Sequence, residues 1–142
     1  MFLPTISDAV NNHARLRPER VAVKDSQREL TFAQWDARAS QLAAGLLSLG
    51  LQKGDRVAVL AANCVAWMEI YAGLARAGLV VVPINFRLSP SEVAYILADC
   101  EASALLAQRE FAQPLLDSGE LQAFEHMRTV AMYDDAPPGW LT

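Results

Sequence analysis

Four short apolar runs, RVAVLAAN at 56–63, LVVVPI at 79–84, SALLAQ at 103–108 and RTVAMY at 128–133, punctuate segments whose apolar residues recur at helical spacing. Runs with so little polar alternation suit strands covered on both faces, as parallel strands are. Parallel neighbours cannot be joined by a tight turn, so each intervening helix becomes a right-handed crossover. The expected fold is therefore α/β, a mostly parallel sheet covered by helices. LVVVPI, the most hydrophobic run, is expected as a fully buried central strand.

Cap signals set the helix boundaries. Thr5 with Asp8 three residues on starts a helix over about 6–16, ended by Pro18. VAVKD, a polar turn through Ser26, Gln27 and Arg28, and ELTF then read as a hairpin. Thr31 and Gln34 form a Thr-x-x-Gln capping box for a helix whose buried face is Trp35, Ala39, Leu42, Leu46 and Leu49, with Gly50 as its stop. A further helix over about 64–77 carries little polar surface beyond Glu69 and Arg76, and Asn63 stands where a cap is expected, its other reading being a substrate contact. Ser89-Pro90-Ser91-Glu92 joins a capping box to proline at the first helical position, and predicts a helix to about Cys100. FAQPLLDSG reads as a short helical segment with Pro114 in or near its first turn. Residues 1–133 are expected as one α/β subdomain, and DDAPPGWLT, residues 134–142, as linker without a closing element.

With 142 residues, 53% of them hydrophobic and 20% charged, the chain can bury a core. A net charge of -4 without a basic cluster excludes the electrostatics of nucleic-acid or anionic-membrane binding. The N-terminus lacks the charged start and long apolar run of a signal peptide. Arg76, Gly78 and Pro83 interrupt the most hydrophobic stretch before it could span a membrane. Cys64 and Cys100 lie in apolar helical contexts, which suits buried free thiols in a reducing compartment; a cytoplasmic location is expected.

Catalytic arrangements are missing from the sequence. There is no G-x-S-x-G elbow and no G-x-G-x-x-G, and Gly45 and Gly50, spaced like a phosphate loop's glycines, are followed by Leu51 and Gln52 instead of Lys and Ser or Thr. His13 and His126 read as helix-end or surface residues, and Asp134 and Asp135 as a solvated turn. No catalytic residue and no metal site is assigned. Arg87 is the one group whose position suggests a ligand: a guanidinium just past the carboxyl end of a parallel strand, where such sheets bind ligands, suits a phosphate monoester. Its other reading is a local pairing with Glu92 or Asp99. Trp67 and Tyr71, one helical turn apart, could line a substrate pocket or fill core. Trp35 is read as packing. From spacing alone, a complete binding or interaction module and the front piece of a larger enzyme both stand open.

The order of three segments is informative: RPERVAV, then LTFAQWDARASQLAAGLLSLGLQKGDRVAVLAAN, then RAGLVVVPINFRLSPSEVAYIL. Together they resemble the N-terminal region of AMP-forming acyl-CoA synthetases, within the adenylate-forming superfamily, over nearly all of Thr5 to Tyr133. Peptide-synthetase adenylation domains usually carry K-A-G-x-A-Y-V-P-x-D here. This chain has Arg76, Val81 and Asn85 at the lysine, tyrosine and aspartate places, which favours a CoA ligase. Asn85-Phe86-Arg87-Leu88 is similar to the N-x-R-L of many acyl- and aryl-CoA synthetases, whose arginine faces CoA and in some holds its 3′-phosphate.

The resemblance implies a two-step ligation. A carboxylate attacks the α-phosphate of Mg-ATP to give an acyl-adenylate and pyrophosphate, and the thiol of CoA then displaces AMP. ATP, Mg and CoA are thus the implied cofactors, and a fatty, aryl or short branched acid the substrate. The family's phosphate loop, magnesium-holding acid, ribose aspartate and C-terminal lysine have no counterpart in these residues. The chain is accordingly expected to be an inactive N-terminal fragment, with residues 134–142 leading toward the missing loop. It would expose an apolar docking surface, with a homodimer as one consequence.

Overall fold

The computed structural model describes residues 4–142, which form two compact units: one through residue 54 together with 63–80, the other of 55–62 and 81–142. The first contains α1 (Ile6–Leu16), a hairpin of β1 (Val21–Lys24) and β2 (Glu29–Thr31), α2 (Phe32–Ser48) and α3 (Ala66–Ala77). Both expected capping boxes form. Thr5 Oγ1 accepts from the Asp8 amide at 3.2 Å while Asp8 Oδ2 accepts from the Thr5 amide at 2.7 Å. Thr31 and Gln34 do the same at 3.2 and 2.9 Å. β1 and β2 pair antiparallel, Val21 opposite Thr31 and Lys24 opposite Glu29.

Val10, Leu30, Trp35, Ala39, Val65 and Ala72 make a core in this unit. Trp35 packs there as expected and also donates Nε1–H to the Met68 carbonyl at 2.7 Å, which satisfies its one polar atom. Helices α2 and α3 approach closely at Gly73, where a Cβ would stand 3.0 Å from Leu42 Cδ2 and 3.1 Å from the Ala39 carbonyl oxygen. Arg76, in the last turn of α3, links three helices. Its Nε donates to Ser7 Oγ at 2.9 Å, Nη1 to the Asp36 carbonyl at 3.0 Å and to Ser40 Oγ, and Nη2 to Asp36 Oδ1 at 2.6 Å.

Two expectations for α3 are corrected. Glu69 is not on the surface: it is 7% exposed, its Oε2 held by Arg38 Nε at 2.7 Å and its Oε1 paired with Arg28 Nη2. Two guanidinium groups from the hairpin turn and α2 make burial of the carboxylate tolerable. Nor does Asn63 cap the helix; it is exposed, and the Val65 amide donates instead to Asp25 Oδ2 at 2.7 Å. Asp25 Oδ1 simultaneously accepts from the Gln27 and Arg28 amides at 2.8 and 2.9 Å, so one carboxylate shapes the hairpin turn and starts α3.

The second unit holds β3 (Arg56–Leu60), β4 (Val80–Ile84, its first residue in the other unit), α4 (Pro90–Asp99), β5 (Ala104–Ala107), α5 (Arg109–Ser118) and β6 (Arg128–Ala131). Sheet order is β4-β3-β5-β6, the α/β arrangement expected. Strands β3 and β5 run parallel with Val57 beside Ala104 and Leu60 beside Ala107; β5 and β6 run parallel with Ala104 beside Arg128. Val57, Ala58 and Val59 are 0% exposed, as a strand covered on both faces should be. Ala58, Leu60, Ile84, Leu105 and Ala107 meet Val93 and Leu97 of α4 and Ala112 and Leu115 of α5 in one core.

Strand β4 is not the buried central strand expected. It lies at the sheet edge, Val80 is 47% exposed, and Pro83, which lacks an N–H, is exposed as well. Its apolar character therefore reflects a half-covered edge. Pro114 sits at the sixth residue of α5, well inside the helix, where its ring is exposed and the Glu110 carbonyl loses its intrahelical donor. Cys64 and Cys100 form no disulfide among the described residues and are half-buried where full burial was expected. Residues 134–142 turn back on β6, so that Leu141 forms a parallel bridge with Val130.

Replacing Glu69 with Ala leaves two partly exposed arginines facing each other, and denaturant unfolding should show a loss of about 1–2 kcal/mol, below the figure for a fully buried pair. Amide donation, first from Val65 and then from Arg28 and Gln27, holds the Asp25 carboxyl below the usual carboxylate range. A depressed carboxyl contributes stability above its unfolded pKa and loses it as pH falls through the lower, folded value. Thermal midpoints between neutral and acid pH should therefore fall less steeply for Asp25→Asn, which should also be less stable than the native chain at neutral pH.

Candidate functional site

Arg87 occupies the short connection between the carboxyl end of β4 and α4, the end at which open α/β sheets receive ligands. The backbone there is held locally. Asn85 Oδ1 accepts the Arg87 amide at 3.0 Å and the Asn85 carbonyl accepts the Leu88 amide at 3.2 Å. Ser89 then caps α4, with Pro90 at the first helical position as expected. Its N–H and Oγ–H donate to Glu92 Oε2 at 2.8 and 2.7 Å, and Ser89 Oγ accepts from the Glu92 amide at 3.4 Å.

These bonds bear on the local-pairing reading of Arg87. Side-chain and backbone hydrogen bonds from Ser89 hold the Glu92 carboxyl below the usual carboxylate range and commit it to the cap. Among the described residues the Arg87 guanidinium makes no ion pair, with Glu92, Asp99 or any other acid. It is exposed, with Cζ 5.7 Å from the centroid of the Phe86 ring. A guanidinium propped on an aromatic ring with its donors toward solvent is suited to an incoming phosphate or carboxylate.

Beside it Phe86 packs on Phe111 at 5.3 Å, and a cavity of about 60 Å³ opens between the turn, α4 and α5, walled by Leu60, Leu88, Val93 and Leu115. The side chains that line it are apolar and offer no group for acid–base chemistry.

Trp67 and Tyr71 belong to the other unit, on α3, and neighbour each other as their spacing implies, with ring centroids 5.5 Å apart and both rings half-buried. His13 lies against Phe32 at 4.9 Å, its Nδ1 buried without a hydrogen bond, which is a packing role. His126, Asp134 and Asp135 are exposed. Arg109 takes part in the turn after β6: it donates to the Asp134 carbonyl at 2.8 Å and lies 4.5 Å from the Tyr133 ring centroid. Among the described residues no three His, Cys, Asp or Glu side chains meet at metal-binding distance, and no helix is long and apolar enough to cross a membrane.

A family model described as AMP-binding enzyme matches residues 10–141. The chain is 39% identical over 127 residues to a feruloyl-CoA synthase of Amycolatopsis sp, covering 88% of this chain and 26% of that protein. It is 30% identical over 130 residues to a medium/long-chain-fatty-acid–CoA/3-oxocholest-4-en-26-oate–CoA ligase of Mycobacterium tuberculosis, covering 92% of this chain and 23% of that protein. The crystal structure of the anthranilate CoA ligase AuaEII in complex with anthranoyl-AMP superposes with a TM-score of 0.88 at 28% identity, over 99% of this chain and 27% of that one. The chain thus spans about a quarter of the length of the curated relatives it matches.

Proposed function

Because the chain belongs to the AMP-binding enzyme family, we propose that it is the N-terminal part of an acid–CoA ligase that activates a carboxylic acid with ATP as an acyl-adenylate and passes the acyl group to CoA. Within that reaction Arg87 holds a phosphate of CoA. The observation that supports this reading is the exposed guanidinium at the carboxyl end of β4, which has no acidic partner among the described residues, Glu92 being bound to Ser89. A permanently charged, multidentate donor suits a phosphate monoester, and each charge-assisted hydrogen bond it makes stabilises the complex by about 1.5–3 kcal/mol.

Trp67 and Tyr71, paired and half-buried on α3, supply an apolar wall for the acyl group in the same proposal. ATP contributes the α-phosphate that the acid attacks. Magnesium is not assigned to any residue of this chain, since the described residues bring no ligating cluster together. We place the enzyme in the cytoplasm and read residues 134–142 as the connection toward its nucleotide-binding part.

Two measurements test this. The chain by itself should catalyse no acid-dependent exchange of pyrophosphate into ATP, and exchange above background would contradict the assignment of the catalytic groups to other residues. In the enzyme expressed from the whole reading frame that contains these residues, Arg87→Ala should raise KM for CoA about tenfold or more with the pyrophosphate exchange rate unchanged, and Arg87→Lys should restore part of the loss. An unchanged KM for CoA would remove Arg87 from the CoA site.

A further inference from the structure

β6, last in the order of the described strands, meets the chain's own tail in a defined way. Its even-numbered residues face β5: the Arg128 amide donates to the Ser103 carbonyl at 3.0 Å and the Met132 amide to the Ala107 carbonyl at 2.9 Å. Alternation along the strand turns the N–H and C=O of both Thr129 and Ala131 outward, and the Thr129 carbonyl with the Ala131 N–H is the pair that one residue of a parallel neighbour would use. Leu141 takes both. Its amide donates to the Thr129 carbonyl at 2.9 Å and its carbonyl accepts from the Ala131 amide at 2.7 Å.

The tail is held in place for this contact. Arg109 fixes the exit from β6 through the Tyr133 ring and the Asp134 carbonyl, Asp135 and Gly139 adopt positive φ of 58° and 84° to reverse the chain, and Trp140 packs against the core of the second unit. The opposite edge is blunted differently, by Pro83 at an exposed position of β4.

We propose that residues 139–142 are an edge strap, whose role is to occupy the Thr129 carbonyl and the Ala131 N–H of β6 and keep a second copy of the chain from extending the sheet there. Sheet edges with free backbone groups recruit other strands, and a residue that takes one outward acceptor and one outward donor of the four that Thr129 and Ala131 present bars another strand from pairing there.

Hydrogen exchange and sedimentation on the full chain test it. The Ala131 amide should be protected in the native chain and lose that protection in Leu141→Pro, which lacks the N–H donated to Thr129. The same variant should associate toward twice the 15.5 kDa chain mass and gain the infrared amide band of intermolecular sheet. Leu141→Ala, which keeps the backbone groups, should behave as the native chain. An unprotected Ala131 amide in the native chain, or a folded Leu141→Pro that associates no more than the native chain, overturns the proposal. Should Leu141→Pro not fold, Gly139→Val, strained at φ 84°, takes its place: a folded Gly139→Val is expected to associate in the same way, and one that keeps the native mass overturns the proposal. With neither variant folded, the native Ala131 amide decides.

Discussion

A parallel strand covered on both faces can carry chemistry only at its ends, and the second unit is organised around that constraint. Beyond Arg56, β3 and β5 are apolar and almost wholly inaccessible. Polar function is therefore left to the turns that leave the strands, and those turns need fixed backbone to hold a side chain in place. Between β4 and α4 this comes from two local devices, the Asn85 side chain on the Arg87 amide and the reciprocal Ser89–Glu92 cap. The cap acts twice, since by starting α4 it also occupies the carboxylate nearest in sequence to Arg87 and leaves the guanidinium available.

The first unit solves a different problem, that of tying a hairpin to three helices with few long-range backbone bonds. It does so with ionised side chains. Asp25 joins the hairpin turn to α3, Glu69 draws Arg28 and Arg38 together, and Arg76 links α3 to Ser7, Asp36 and Ser40. Such contacts are directional, so they fix the approach of elements whose apolar packing alone would allow sliding.

What was legible in the sequence follows from range. Caps are local, with donor and acceptor three residues apart, and Thr5–Asp8, Thr31–Gln34 and Ser89–Glu92 all formed where the spacing placed them. Strand type was legible for β3 and β5, because uninterrupted apolar runs have few other uses. Position in the sheet was not: β4 is as apolar as β3 yet lies at the edge, and only Pro83 hinted at that. Asp25 and Glu69 were missed for the same reason, since their partners stand 40 and 31 residues away and no local pattern announces them. The Leu141 contact was hidden by Pro137, Pro138 and Gly139, which exclude helix but do not exclude a chain reversal. Of the candidate site, the order of segments identified the family, and the freedom of Arg87 became visible only once Glu92 was seen bound to Ser89.

The central claim is that Arg87 meets a phosphate of CoA, and a crystal structure of the whole enzyme with CoA bound tests it most directly. The account predicts a guanidinium nitrogen of Arg87 within about 3 Å of a CoA phosphate oxygen, the distance of a charge-assisted hydrogen bond. A structure with CoA in place and its phosphates beyond about 8 Å from Arg87, a Debye length at physiological salt, would contradict it.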